Sequence, residues 1–281
     1  MLRPIALSRT HMECRFLKET VPVLTELLAF EVVSQRAGEA TLKHPNTDWR
    51  LILHEAGPEA AVKEMHNHYG VRVTTNQEVD AAYEYLTARK EQYALEQIGK
   101  PAYSHGSYSL YFLEPGTNGW EIECYENFLR VQKSETMFGG VRVPHWASPF
   151  SSERFSGRGY VPQGFTHGTL AIGNVKASER FYREVLGLET YQANPRVIYT
   201  KHPKTKCYIV CAERKEWKSF SPNFRFTVLL ASKDEVSEAH RRLSDSGREL
   251  GVTELGELTD GGASFLLRDP DRNCWEVSSQ N

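Results

Sequence analysis

Two hydrophobic rhythms alternate along this chain, one repeating every second residue and one every third or fourth. Val79, Ala82, Tyr83 and Leu86 fall at i, i+3, i+4 and i+7, which predicts a helix over 77–89 with one apolar face. Two-residue alternation predicts strands at 68–73 before that helix and at 108–113 and 120–125 after it. A strand, a helix and further strands also read through 5–55, with strands at 8–15, 30–33, 40–43 and 49–54 around a helix at 20–28. The order returns in 165–212 and again in 224–279. Ser178 offers an N-cap to the third helix and Gly187 a stop.

These four units repeat in pairs. Residues 110–123 and 265–278 lie 155 apart, and each reads as an apolar strand, a turn rich in acid, Pro, Gly and Asn, and a strand carrying Trp-Glu-aliphatic. Glu26-Leu27-Leu28 before Ala29-Phe30-Glu31 recurs as Glu184-Val185-Leu186 before Gly187-Leu188-Glu189, at an offset of 158. Glu78-Val79 recurs as Glu235-Val236 at 157. A near-constant offset over most of the chain indicates a duplicated domain. The expected division is 1–128 and 164–281, joined by 129–163. That joining stretch is rich in Gly, Pro and Ser but holds Phe138, Trp146, Phe150, Phe155 and Tyr160, more aromatics than a plain tether needs. It is expected to pack over the domains.

Composition narrows the function. The 281 residues suffice for two cores of ordinary size. Thirty-four basic residues nearly balance thirty-six acidic ones, so neither nucleic acid nor an acidic membrane is favoured as a partner. Apolar runs are too short for a membrane span, and the N-terminus lacks a signal-peptide core, so the expected location is cytoplasmic. The five scattered cysteines, Cys207 and Cys211 among them, read as buried thiols rather than a metal or redox pair. A homo-oligomer is expected.

A strand–helix–three-strand unit, paired and then duplicated, resembles the vicinal oxygen chelate superfamily, which includes glyoxalases, bleomycin-resistance proteins and type I extradiol dioxygenases. The marks that carry the resemblance are Phe181-Tyr182-Arg183-Glu184-Val185-Leu186-Gly187-Leu188, the turn Asp269-Pro270-Asp271, and Trp-Glu in both final strands. The resemblance implies an α+β fold of four βαβββ modules in two domains, each domain a cupped mixed sheet. The two-domain length is similar to that of the extradiol dioxygenases.

The same resemblance implies a metal held by a His on a domain's first strand, a His on the strand opening its second module, and a Glu on its last strand. Two imidazoles and one carboxylate hold Fe(II) on one face and leave the other positions open for a chelating substrate and O2. His68 matches the second position and Glu121 the third. For the first position, ungapped extension of the repeat sets Arg9 opposite His167, while His11 stands two residues on and shares a strand face with it. His11 is the expected ligand, with Arg9 as the alternative. In the second domain His167 and Glu276 are kept, but Arg225 replaces the counterpart of His68. A guanidinium has no lone pair to donate, so Arg225 is expected to pair with Glu276 in a copy without metal.

Tyr111 lies ten residues before Glu121 on the neighbouring strand, where extradiol enzymes carry a tyrosine that bonds the substrate hydroxyl; its counterpart is Leu266. His105, in the preceding loop, is a candidate proton donor or substrate contact. The family's acid–base histidine has no counterpart in 48–50; His44 and His54 are possible substitutes, and His66 is read as peripheral. His145, His202 and His240 have no evident partner. The expected activity is Fe(II)-dependent extradiol cleavage of a catechol-like aromatic with O2, with Mn(II) or another divalent ion as an alternative. The rivals are a divalent-metal lyase, isomerase or hydrolase on the same triad, and a metal-free small-molecule-binding protein of the resistance type.

Overall fold

The computed structural model describes residues 1–60, 67–115, 118–126 and 149–280. Phe138, Trp146, His66 and His145 lie outside the described residues. The element order repeats the expected module four times. The first holds β1 (Ala6–Cys14), α1 (Leu17–Pro22), β2 (Glu31–Arg36), β3 (Glu39–Lys43) and β4 (Arg50–Glu55). At Pro22, which has no N–H to donate, α1 gives way to a π turn over Val23–Leu27. The second holds β5 (His68–Arg72), α2 (Asn76–Ala88), β6 (Ala102–Ser104), β7 (Ser107–Leu113) and β8 (Gly119–Cys124). The third holds β9 (Gly164–Ile172), α3 (Val175–Glu184), β10 (Glu189–Asn194), β11 (Val197–Lys201) and β12 (Tyr208–Glu213). The fourth holds β13 (Arg225–Leu230), α4 (Lys233–Ser246), β14 (Glu254–Leu255), β15 (Ser264–Arg268) and β16 (Cys274–Ser279).

Local chemistry explains the helices. Thr75 and Glu78 form a capping box at the start of α2, and Val79, Ala82 and Leu86 are its buried stripe. Asn174, not Ser178, caps α3, its side chain accepting from Ala177 N at 2.9 Å. Gly187 follows α3 at φ +70°, where a side chain would be strained. No helix among the described residues is long and apolar enough to cross a membrane.

Among the described residues sixteen strands form two eight-stranded mixed sheets, and the chain divides into two compact units. Their boundaries differ from the expected division. One unit is Met1–Met12 with Leu170–Asn281; the other is Glu13–Thr169. In the first, β1 lies antiparallel to β13, and β13 parallel to β16, so the opening strand of the first module completes the fourth. In the second, β5 pairs antiparallel with β9 and parallel with β8, so the opening strand of the third module completes the second. Each unit therefore takes one strand from across the repeat, β1 of the first module joining the fourth and β9 of the third joining the second.

Matched clasps in the two units stabilise that exchange. Within Glu13–Thr169, His44 Nε2 donates to Pro162 O at 3.0 Å, and Phe165 N donates to Thr47 Oγ1 at 3.1 Å. In the other unit His202 Nε2 donates to Pro4 O at 3.0 Å, and Leu7 N donates to Thr205 Oγ1 at 3.0 Å. The clasps come from one repeated sequence, Lys-His-Pro-x-Thr, at 43–47 and 201–205. A second matched pair ties the final hairpins: Asn118 Nδ2 donates to Glu13 O at 2.8 Å, and Asn273 Nδ2 to Ala171 O at 3.0 Å.

Each unit builds its core on the sheet face that carries Trp120 or Trp275, opposite the face of the adjacent Glu121 or Glu276. In Glu13–Thr169, Trp120 packs edge-on against Phe30 at 5.8 Å and tilted on Tyr69 at 5.6 Å, with Phe165 and Trp49 completing the cluster. Trp120 Nε1 donates to the buried Glu114 at 3.2 Å. Trp275 plays the same part in the other unit, packing on Tyr182 and Phe226 and donating to Asp269 at 3.1 Å. Of the expected linker, Phe155 and Tyr160 are buried, and Tyr160 packs edge-on against Tyr85 of α2 at 5.8 Å.

Candidate metal centre

The site is one row across four strands. Tyr111 on β7 stands opposite Glu121 on β8, Glu121 opposite Gly70 on β5, and Gly70 opposite His167 on β9. His68 precedes Gly70 by two residues, so it emerges on the same face. Parallel pairing of β5 with β8 and antiparallel pairing of β5 with β9 thus bring the three candidate ligands together around the middle strand.

Their geometry is that of a coordination face. His68 Nε2 and His167 Nε2 each lie 3.2 Å from Glu121 Oε2. The imidazole centroids are 5.3 Å apart and the rings nearly perpendicular at 86°. No donor is aligned on the buried Glu121 Oε2, so the two nitrogens approach it without the orientation of hydrogen-bond partners. One donor atom from each of the three residues lies within 4.8 Å of the others. Neighbouring ligand atoms around a first-row ion, at bond lengths of about 2.1 Å, stand about 3 Å apart. The residues fit a divalent metal.

The surroundings orient His167. Its Nδ1 lies 3.0 Å from Thr166 Oγ1, and Thr166 Oγ1 donates onward to Glu123 Oε1 at 2.9 Å. Because the threonine hydroxyl faces two acceptors, Glu123 Oε1 and Gly70 O at 3.2 Å, its proton goes to one of them and Nδ1–H is the donor to Thr166. In the neutral ring this leaves the Nε2 lone pair facing Glu121. Arg72 grips Glu123 Oε1 through Nη2 at 2.7 Å and Nε at 3.1 Å.

Electrostatics favour a cation here. Burial alone would raise the pKa of Glu121, but the His167 and His68 imidazoles beside it hold the carboxyl well below its ordinary value. Glu123 is likewise opposed by burial, yet Arg72 foremost, and then His167, bring it to about 2. Burial would depress His167, but Glu123 and Glu121 push it up to about 9. Two buried carboxylates make this a place that draws positive charge, whether a proton or a metal ion.

Tyr111 and His105 adjoin the triad. Tyr111 Oη donates to Glu121 Oε1 at 2.7 Å, and His105 Nε2 lies 3.1 Å from the same phenolic oxygen. The one phenolic proton is on the glutamate side, so His105 donates through Nε2–H. His105 occupies the β6–β7 turn at φ +37° and is exposed. The chain His105–Tyr111–Glu121 therefore runs from solvent to the second oxygen of the carboxylate.

His11 is not at this site. It stands on β1 opposite Arg225, with Nε2 3.3 Å from Glu276 Oε2. The reason is strand pairing: β1 joins β13, and the strand that completes the second module is β9. A bulge at Ser8 in β1 matches one at Thr166 in β9, and the residue after each bulge is Arg9 in the one and His167 in the other. The ungapped repeat was the correct alignment.

The first unit keeps the row without the ligands: Leu266, Glu276, Thr227 and Arg9 lie across β15, β16, β13 and β1. Thr227 Oγ1 donates to Glu276 Oε2 at 2.6 Å, Arg9 Nη2 approaches the same oxygen at 3.4 Å, and Arg225 Nη2 lies 3.8 Å from Oε1. The expected pairing of Arg225 with Glu276 is present. Burial would raise the Glu276 pKa, but His11, Arg9 and Arg225 hold it well below the carboxylate range.

Other histidines have structural partners. Asn46 N donates to His44 Nδ1 at 3.1 Å, so both ring nitrogens of this buried residue are committed, and burial takes its pKa down to about 4. His44 is a clasp rather than a substitute base. His54 lies 3.7 Å from Glu39, and His240 bonds Gly256 O at 2.9 Å. Sequence reasoning placed His167 in a copy without metal and passed over Gly70. The Lys-His-Pro-x-Thr repeat was the available signal for the exchanged strands.

Comparison with known proteins agrees with this architecture. Residues 164–277 match the family model described as the glyoxalase/bleomycin resistance protein/dioxygenase superfamily. No curated protein matches the chain by sequence. Glyoxalase I from Zea mays is similar in fold, with a TM-score of 0.63 at 13% identity over 98% of this chain and 92% of that one. A provisionally named dioxygenase from Bacillus subtilis subsp. subtilis strain 168 gives 0.64 at 11% identity over 99% of this chain and 86% of that one. At such identities the likeness is one of fold. Residues 164–277 thus belong to the glyoxalase/bleomycin resistance protein/dioxygenase superfamily, and the whole chain shares its fold with the two structures above.

Proposed function

We propose that the chain is a non-haem Fe(II) dioxygenase of extradiol type, acting on a catechol-like aromatic, with His68, Glu121 and His167 as the metal ligands. The observation that carries this reading is the ligand set itself: two imidazole nitrogens and one carboxylate oxygen converging from one side. Two His and one carboxylate with open positions opposite is the arrangement of non-haem Fe(II) oxygenases. When bound, Fe(II) supplies Lewis acidity and a route for electrons between an aromatic diol and O2.

The chain's own residues do the rest. Thr166 and Glu123 hold His167 in the tautomer that ligates through Nε2. Tyr111 holds the second oxygen of Glu121 and, through His105, links the site to solvent. A diol must lose a proton on binding, and a positioned acceptor typically contributes 10²–10⁴-fold in rate. His105 is the exposed group on that path and is assigned the proton exchange with water. Because Tyr111 bonds a ligand carboxylate, it acts on the diol indirectly.

The test is oxygen consumption by tag-free protein loaded anaerobically with Fe(II) and then given catechols in air-saturated buffer. The expected result is substrate-dependent O2 uptake with Fe(II), weaker with Mn(II) and absent with Zn(II). Turnover of an oxygen-bearing substrate with Zn(II) and no O2 uptake would replace this reading with Lewis-acid lyase or isomerase chemistry.

A further inference from the structure

Gly70 lies between Glu121 and His167 in the row, directly opposite both. Its backbone φ is not in the left-handed region, so the fold does not need glycine there for conformational reasons. It needs the space. A Cβ on Gly70 would stand 2.1 Å from Cε1 of His167, 2.4 Å from Nδ1 and 2.9 Å from Nε2. The His167 ring occupies the volume that a side chain at 70 would take, and crosses β5 to reach Glu121. A glycine inside a strand often marks such a close approach.

The other unit shows the same row with that space filled. Thr227 occupies the position of Gly70, opposite both Glu276 and Arg9. Its hydroxyl donates to Glu276 Oε2 at 2.6 Å, the oxygen that Arg9, the counterpart of His167, approaches at 3.4 Å. We infer that Gly70 is the positioning residue that admits His167 as the third ligand, and that a side chain such as Thr227 at this position would bar an imidazole from that place. Two ligand positions also differ between the rows, with Arg225 and Arg9 standing where His68 and His167 do, but only the Gly70/Thr227 difference acts through volume. This inference rests on the metal reading of His68, Glu121 and His167.

A double-substitution cycle tests it, with His167 Cε1–H NMR on metal-free protein and metal retained per chain as readouts. Gly70→Ala displaces the His167 resonance, leaves those of His44 and His202 in place, and lowers affinity for added Fe(II) or Co(II) by about 100-fold, the upper range for disturbing a ligand's orientation. In a His167→Ala background the ring is gone, so adding Gly70→Ala causes no further loss of metal and little loss of stability. The double variant keeps the test informative if Gly70→Ala alone fails to fold. An unmoved His167 resonance with wild-type metal retention overturns the inference, as does a stability loss equally large in the His167→Ala background. Absence of metal binding by the wild-type chain defeats the functional reading instead, while the NMR shift still reports on Gly70.

Discussion

His11 and Glu276 are neighbours, with the imidazole Nε2 of the one 3.3 Å from a carboxylate oxygen of the other. A histidine on the first strand thus serves the row that has arginines where ligands would be, and His167 serves the row that has them. His11→Ala is therefore expected to leave metal content unchanged. It removes a nearly buried partner of Glu276 and lowers stability by about 1–3 kcal/mol, the usual penalty for an abandoned buried polar group. Urea unfolding and metal analysis on one preparation check both halves, and loss of metal with unchanged stability would contradict the placement of His11.

Tyr111→Phe separates two roles for the phenol. Its hydroxyl holds Glu121 Oε1 at 2.7 Å, so its removal is expected to weaken metal affinity by roughly 10-fold, in the range for partners of ligating residues. Chelator competition measures this. Full affinity with reduced turnover would instead mean that the phenol serves substrate alone.

His44 gives stability a pH dependence of its own. Its folded pKa is lowered to about 4, burial being the cause, against an ordinary 6.5. The contribution is complete above the unfolded value and is lost as pH falls from about 6.5 through 4, because the unfolded chain takes up the proton first. The difference amounts to about 3 kcal/mol at most. Unfolding free energies measured across pH 7 to 4.5 should fall more steeply for the wild type than for His44→Gln. Parallel curves would show that His44 does not titrate in this window.

Much of this was legible from residues because it is local. The 3.6-residue stripe of α2 and the paired Trp-Glu strands required no partner to be read. Repetition then assigned Glu121 and Glu276 to equivalent places. Strand partnership was harder, because β5 looks the same to the sequence whether β1 or β9 lies beside it. Only long-range contacts decide, such as Thr47 on Phe165 and Asn118 on Glu13. Choosing β1 as the partner forced a two-residue shift to reach His11, whereas the unshifted repeat already equated Arg9 with His167. Gly70 went unnoticed because a glycine in a strand signals only that something approaches closely, not which residue does.

Metal per chain is the most direct measure of the central claim. Tag-free wild-type protein, reconstituted with Fe(II) under reducing anaerobic conditions and desalted, is expected to carry one ion per chain. His68→Ala, Glu121→Ala and His167→Ala should each carry almost none, since two remaining ligands hold a divalent ion poorly against water, while Glu276→Ala should match the wild type. Metal that survives His167→Ala but disappears with Glu276→Ala would place the centre in the other row and contradict the account.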